Sequence, residues 1–165
     1  MKRTSTVIAS LALIVASACG GSGGDDNPTG PGGGTAITGD GNISATVNGV
    51  SWRSAKAGDR VTRTGQFYGI TAFNAPYALI LGIGNVTGPG TFTLNLAAGG
   101  NGSSAIISNA TGGWGTAFSG GTGTITVTAL TATRIAGTFT FDAVPGSGQA
   151  TGTMQVRNGT FDVTF

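Results

Sequence analysis

The 165-residue chain has no histidine, no glutamate and a single cysteine, and only 8% of its residues are charged. An average soluble domain carries about 25%. Without histidine there is no imidazole general base, no Ser-His-Asp or Cys-His pair and no ordinary zinc or copper site. Without glutamate, most glycosidase acid/base pairs and EF-hand calcium loops are excluded as well. One cysteine cannot form an internal disulfide, which removes an immunoglobulin-type Cys-Trp-Cys core. Neither GxGxxG nor GxxxxGK[ST] occurs, so no phosphate cradle is indicated. What the chain has instead is 32 glycines, without a Gly-X-Y period, and 26 threonines. Collagen is therefore excluded, and the length suits one domain with a core of its own.

The amino terminus has its own grammar. Met1-Lys2-Arg3 is positive, Val7 to Ala16 is a largely apolar run of ten, and Ala16-Ser17-Ala18-Cys19 follows. That order is an export signal. At about 20 residues for a membrane span, the run is too short to be a permanent anchor. The segment resembles the lipobox of bacterial lipoproteins, and the chain's one cysteine stands at the position lipidation requires. The resemblance implies a signal peptide over 1–18 and an acylated Cys19 as the mature first residue. Two or three acyl chains make a stable membrane anchor where one does not. Plain cleavage after Ala18, leaving a soluble protein with a free thiol, is the alternative. Gly20 takes the place of the aspartate that retains some lipoproteins in the inner membrane, which directs the expectation to the outer membrane of the cell envelope.

Residues 19–41 read as attachment cysteine and tether, with ten glycines among the 22 residues from Gly20 to Gly41. Such a stretch has too little apolar surface to offset the entropy of ordering it. The formal charge of +2 comes from Lys2 and Arg3; the remaining chain has six cations against six aspartates.

From about Asn42 the pattern alternates with period two, and no segment carries a helical stripe. Ile43, Ala45 and Val47 lead into an Asn48-Gly49 turn, and Val50-Ser51-Trp52 begins the return. Ile125/Val127, Phe139/Phe141 and Phe161/Val163/Phe165 alternate with threonine or aspartate in the same way. Tyr77 to Ile83 is apolar on both sides and reads as a central strand covered on both faces. Gly-Thr followed by an apolar residue recurs at Gly90, Gly123, Gly137, Gly152 and Gly159, at unequal intervals that exclude a propeller or solenoid. The prediction is one all-β domain over residues 42–165, an antiparallel meander of about eight to ten short strands closed as a barrel or flattened as a sandwich.

The order of the Val47–Trp52 hairpin, the Gly90–Leu94 strand, the segment Gly123–Ala143 and Asn158-Gly159-Thr160-Phe161 resembles a family of small, uncharacterised β-rich bacterial lipoproteins. That resemblance implies the fold and the anchor. It supplies no activity and no catalytic residues.

Few residues are candidates for a site. Arg53, Lys56, Arg60 and Arg63 gather four cations within eleven residues; they suit anionic headgroups or acidic glycans, or else simply protect a sheet edge. Trp114, set among Gly112, Gly113 and Gly115, reads as a plug at one end of the fold, with ligand stacking as the alternative. Asp142 and Asp162 occupy polar positions of threonine-lined strands and read as solvated charge. Phe161-x-Val163-x-Phe165 resembles the closing strand of a transmembrane β-barrel, although strands of 9–11 residues with aromatic girdles would be required. Taken together these expectations describe a non-catalytic, lipid-anchored binding or structural protein that needs no cofactor, no metal and no nucleic acid. Its partners are the membrane through Cys19 and an envelope protein, a glycan or a small apolar ligand. A ligand carrier would line its interior with Phe92, Leu94, Phe139 and Phe141.

Overall fold

A computed structural model describes residues 35–38, 41–56, 59–95 and 102–165, the first segment by its backbone alone. The expected signal peptide, Cys19 and the tether as far as residue 34 lie outside the described residues. Among those described there are twelve strands: β1 (Thr35–Thr38), β2 (Gly41–Val47), β3 (Val50–Arg53), β4 (Arg60–Thr64), β5 (Phe67–Asn74), β6 (Tyr77–Ile83), β7 (Gly90–Thr93), β8 (Ser104–Ser108), β9 (Gly112–Gly115), β10 (Thr122–Leu130), β11 (Arg134–Gly148) and β12 (Met154–Thr164). Every pairing is antiparallel. The all-β class is as expected, with more strands than eight to ten. Two boundaries differ as well: β2 begins at Gly41, and β1 falls within the stretch read as tether.

The strands form one open sheet in two halves that share β11. In the first half the order is β1-β4-β5-β6-β8-β9-β11; in the second it is β7-β10-β11-β12-β2-β3. Strand β11 is 15 residues long. Its first part pairs with β10 and β12, and its last residues, Val144 to Gly148, pair with β9. Sequential hairpins account for β2-β3, β4-β5, β5-β6, β8-β9, β10-β11 and β11-β12. The pairings of β12 with β2 and of β7 with β10 are long-range.

The Asn48-Gly49 turn forms as its sequence dictates. Asn48 has φ 46° and Gly49 φ 84°, the two positive angles of a type I′ hairpin that matches strand twist. The turn is also docked, since Asn48 Oδ1 accepts a hydrogen bond of 2.8 Å from the Gln155 backbone N–H.

Alternation places one apolar side of both halves in a single core, in which Ile43, Ile70, Leu81, Ile107, Ile125 and Phe141 are all buried. Phe139 stacks on Phe141 with centroids 6.2 Å apart, and Tyr68 of β5 meets Phe165 at 5.9 Å. The Gly-Thr recurrence acquires a reason here. Gly123 stands opposite Phe141, Gly137 opposite Phe161 and Gly159 opposite Phe139. A methyl group at any of the three glycines would run into the facing phenylalanine. Glycine and aromatic thus form cross-strand pairs: at Gly137 and Gly159 the ring covers the backbone its neighbour leaves bare, and at Gly123 the close atoms are the Cα and Cβ of Phe141 and the Thr140 carbonyl.

The reading of Tyr77–Ile83 needs correction. Strand β6 is central, between β5 and β8, but only one of its faces is covered: Leu79 and Leu81 are buried, whereas Ile80 is 41% exposed.

Candidate functional site

The four clustered cations are exposed and lie on different elements. Arg53 ends β3 in the second half, whereas Arg60 and Arg63 belong to β4 in the first. An odd separation along a strand puts Arg60 and Arg63 on opposite sides. The Arg63 guanidinium lies 5.5 Å from the centroid of the Tyr68 ring, and its Nε donates to the Gly65 carbonyl at 3.3 Å. Lys56 is exposed in the connection between β3 and β4, with φ 63°.

Trp114 is not a surface residue. It is 5% exposed on the inner side of β9, and its indole N–H donates to the carbonyls of Thr151 (3.2 Å) and Gly152 (3.1 Å). These bonds tie the β11–β12 connection to the sheet. Trp52 is likewise buried, donating to the Asn74 carbonyl at 2.8 Å. Of the four residues named for a carrier's interior, Leu94, Phe139 and Phe141 are buried in the common core and Phe92 packs against it.

The aspartates part company. Asp142 accepts from Arg157 Nη2 at 2.6 Å. Asp162 takes a two-pronged interaction from Arg134, Nε to Oδ1 at 2.7 Å and Nη2 to Oδ2 at 2.8 Å. That hydrogen bonding holds the Asp162 carboxyl below its ordinary range. Both pairs are partly exposed, so each aspartate is surface charge with a partner. Asp59 behaves differently. It is fully buried, its Oδ2 accepts the Ser54 hydroxyl at 2.7 Å, and its Oδ1 has no hydrogen-bond partner among the described residues. Burial pushes its carboxyl above the ordinary range, opposed by the Ser54 hydroxyl, the Phe73 backbone and the charge of Lys56. No local pattern in the sequence distinguishes it from the exposed aspartates. No cluster of three potential metal ligands exists among the described residues.

The two outer faces differ in chemistry. On the second half, Thr91, Thr126, Thr138, Thr160 and Ser44 fall in register across five adjacent strands. Neighbouring hydroxyls bond at 3.2 Å (Thr91–Thr126) and 2.9 Å (Ser44–Thr160). An open depression of about 490 Å³ lies on this face, bordered by Thr124, Thr126, Thr138, Thr140, Arg157 and Thr160. A second, of about 330 Å³, is bordered by Ser44, Ser51, Arg53 and Asn158. Hydroxyls, an amide and guanidinium groups offer both donors and acceptors here. The outer face of the first half carries exposed Phe67, Phe73, Ile80 and Ile106, an arrangement absent from the expectations above. The visible signal was the two-sided apolarity of Tyr77–Ile83.

Such a molecule is an antiparallel β domain that buries both tryptophans, Tyr68, Phe139, Phe141 and Phe161 in its core and presents one hydroxyl-rich and one apolar face. The chain belongs to the family described as a domain of unknown function, DUF6252, whose profile matches residues 40–163. No curated protein and no solved structure matches it.

Proposed function

We propose that the chain is a lipid-anchored lipoprotein of the bacterial cell envelope, acylated at Cys19 and directed to the outer membrane. Its β domain has a non-catalytic binding or structural role. The observation that carries the reading is the position of the one cysteine, directly after a charged start, an apolar run and Ala16-Ser17-Ala18. The domain supplies support of its own. A transmembrane barrel is apolar outside and polar within. Here the enclosed side is apolar and one outer face is covered by threonine and ion pairs, a distribution suited to a domain held beside a membrane.

Within this reading, the hydroxyl-rich face is the contact surface for a polar envelope partner, a glycan or a protein. Its depressions offer hydroxyl and guanidinium groups with no exposed large apolar residue among their borders, so recognition there would be by hydrogen bonding. The anchor has a direct test. In cells fed labelled fatty acid, Cys19→Ser should abolish labelling and release the protein from the membrane fraction. Equal labelling and retention of the variant would refute the assignment.

A further inference from the structure

The geometry points to the outer face of β5, β6, β8 and β9 as a membrane-contacting surface that lies against anionic phospholipid. Outward positions on these strands carry no charged residue. Phe67, Phe73, Ile80 and Ile106 project from them, each 38–53% exposed, and Phe118 joins the same face by lying over Gly115 and Gly146. Among the described residues these are five of the six exposed large apolar side chains, the sixth being Val50 beside the β2–β3 turn. Ile80 and Ile106 are cross-strand partners, and Phe67 covers Gly82, so the residues make a continuous low surface. Beside Phe73 an apolar depression of about 420 Å³ is bordered by Ala75, Pro76 and Ala78. Patches of this kind on a folded domain mark contact with another apolar phase.

Two features select a lipid surface as that phase. The first is the sign of the bordering charge. Arg60 stands outward on β4 at the margin of the face, with Lys56 just before it in the chain, while the paired Asp142 and Asp162 belong to the other half. Among the described residues the exposed charge at this margin is cationic, and beside exposed phenylalanines it complements lipid phosphates at the level of the headgroups. The second is where the chain enters. Strand β1 pairs with β4, Thr38 opposite Arg60, so the path back to Cys19 leaves from the edge of this same half. Thr35 stands sixteen positions beyond Cys19, a reach of at most about 55 Å. An acylated Cys19 would therefore keep this face within reach of the bilayer, and in this respect the inference rests on the anchor proposed above.

The test uses the full chain carrying Cys19→Ser, so that no acyl group contributes, mixed with vesicles of phosphatidylethanolamine and phosphatidylglycerol. It should float with the vesicles. Phe73→Asp, and separately the milder Phe73→Ser, should weaken flotation, the former by about tenfold. Thr126→Asp on the opposite half should leave it unchanged. Unfolding midpoints close to that of the parent establish that the variants fold. Absence of flotation, or equal loss with Thr126→Asp, overturns the proposal. So does a dimer in sedimentation that dissociates with Phe73→Asp while vesicles remain unbound, since that assigns the face to a second copy. Fatty-acid labelling of the unaltered chain reports on Cys19 alone. A labelled chain whose Cys19→Ser form does not float keeps the anchor and loses the face, and an unlabelled chain whose variant floats does the reverse.

Discussion

Asp59 and Asp162 show how two residues of one type acquire opposite dependence on pH. The Asp162 carboxyl is held low by Arg134. Its stabilising contribution is therefore present above the unfolded-state value near 3.8 and is lost as pH falls through the lower folded value. The Asp59 carboxyl is raised by burial. It binds its proton more tightly folded than unfolded, so its destabilising effect grows as pH rises from about 3.8 through the folded value and is complete above it. Asp59→Asn, which keeps an acceptor for Ser54, should thus raise the unfolding midpoint at neutral pH, with the gain vanishing below about pH 4. Asp162→Asn should lower the midpoint at neutral pH, again with no difference in acid. Thermal melts of the two variants and the parent across this range check both signs. A neutral-pH midpoint for Asp59→Asn well below that of the parent would show that the ionised carboxylate is needed there.

Neither fate was legible in the local sequence. Arg134 reaches Asp162 across 28 residues, and Arg157 reaches Asp142 across 15. Strand register, not spacing along the chain, makes these pairs. The phase of the alternation gave the correct side for Asp142 and Asp162 and contained nothing about partners. Trp114 is buried on the opposite side of β9 from Gly113 and Gly115, whose bare side is covered by Ser147 and Phe118.

At the scale of the element, glycines that look alike in the sequence do unlike things. Gly49 has φ 84° with open space around it, so Gly49→Ala should cost only the left-handed backbone penalty, about 1 kcal/mol. Gly137 has an ordinary backbone, but an added methyl would meet the Thr126 carbonyl and the Phe161 ring. Gly137→Ala should cost about 3 kcal/mol, since neither the β10 backbone nor a buried ring can yield freely. Denaturant titration of the two variants separates the cases, and equal costs would contradict the packing role of the Gly–Phe pairs. The Asn48-Gly49 hairpin could be read directly because its turn chemistry is local. Strand β11 could not be read to its full length, since Pro145-Gly146 has the form of a turn. Proline lacks a ladder donor, and the strand passes through it by a register shift between Pro145 and Ser147.

For the molecule as a whole, alternation alone revealed the all-β class and most of the core residues. It could not reveal that the two halves share β11, or that the outward positions of β5, β6, β8 and β9 are bare of charge. Both depend on which strands become neighbours. Because β11 carries backbone ladders of both halves and β12 joins it to β2, stability should not divide between them. A chain ended after Thr153 loses the partner of β2 and of β11 together. It should show no cooperative unfolding transition, rather than retaining a folded first half. A sigmoidal melt of that truncated chain would indicate that β1, β4–β6, β8 and β9 are independently stable.

The pairing of β2 with β12 also sets a clock. Ile43 lies opposite Phe161, a separation of 118 residues obtained by subtracting one number from the other. At a synthesis rate of about 5–20 residues per second, roughly 6–24 s pass between the appearance of the first partner and that of the second. Throughout that interval β2 has only its short hairpin mate, and an isolated hairpin is marginal in water. The sheet cannot be completed until β12 has been made, and pairings so distant in sequence are slow to find even afterwards. On the export proposed above, a chain whose sheet is still incomplete is in a state that can be passed through a narrow translocation pore before it folds on the far side.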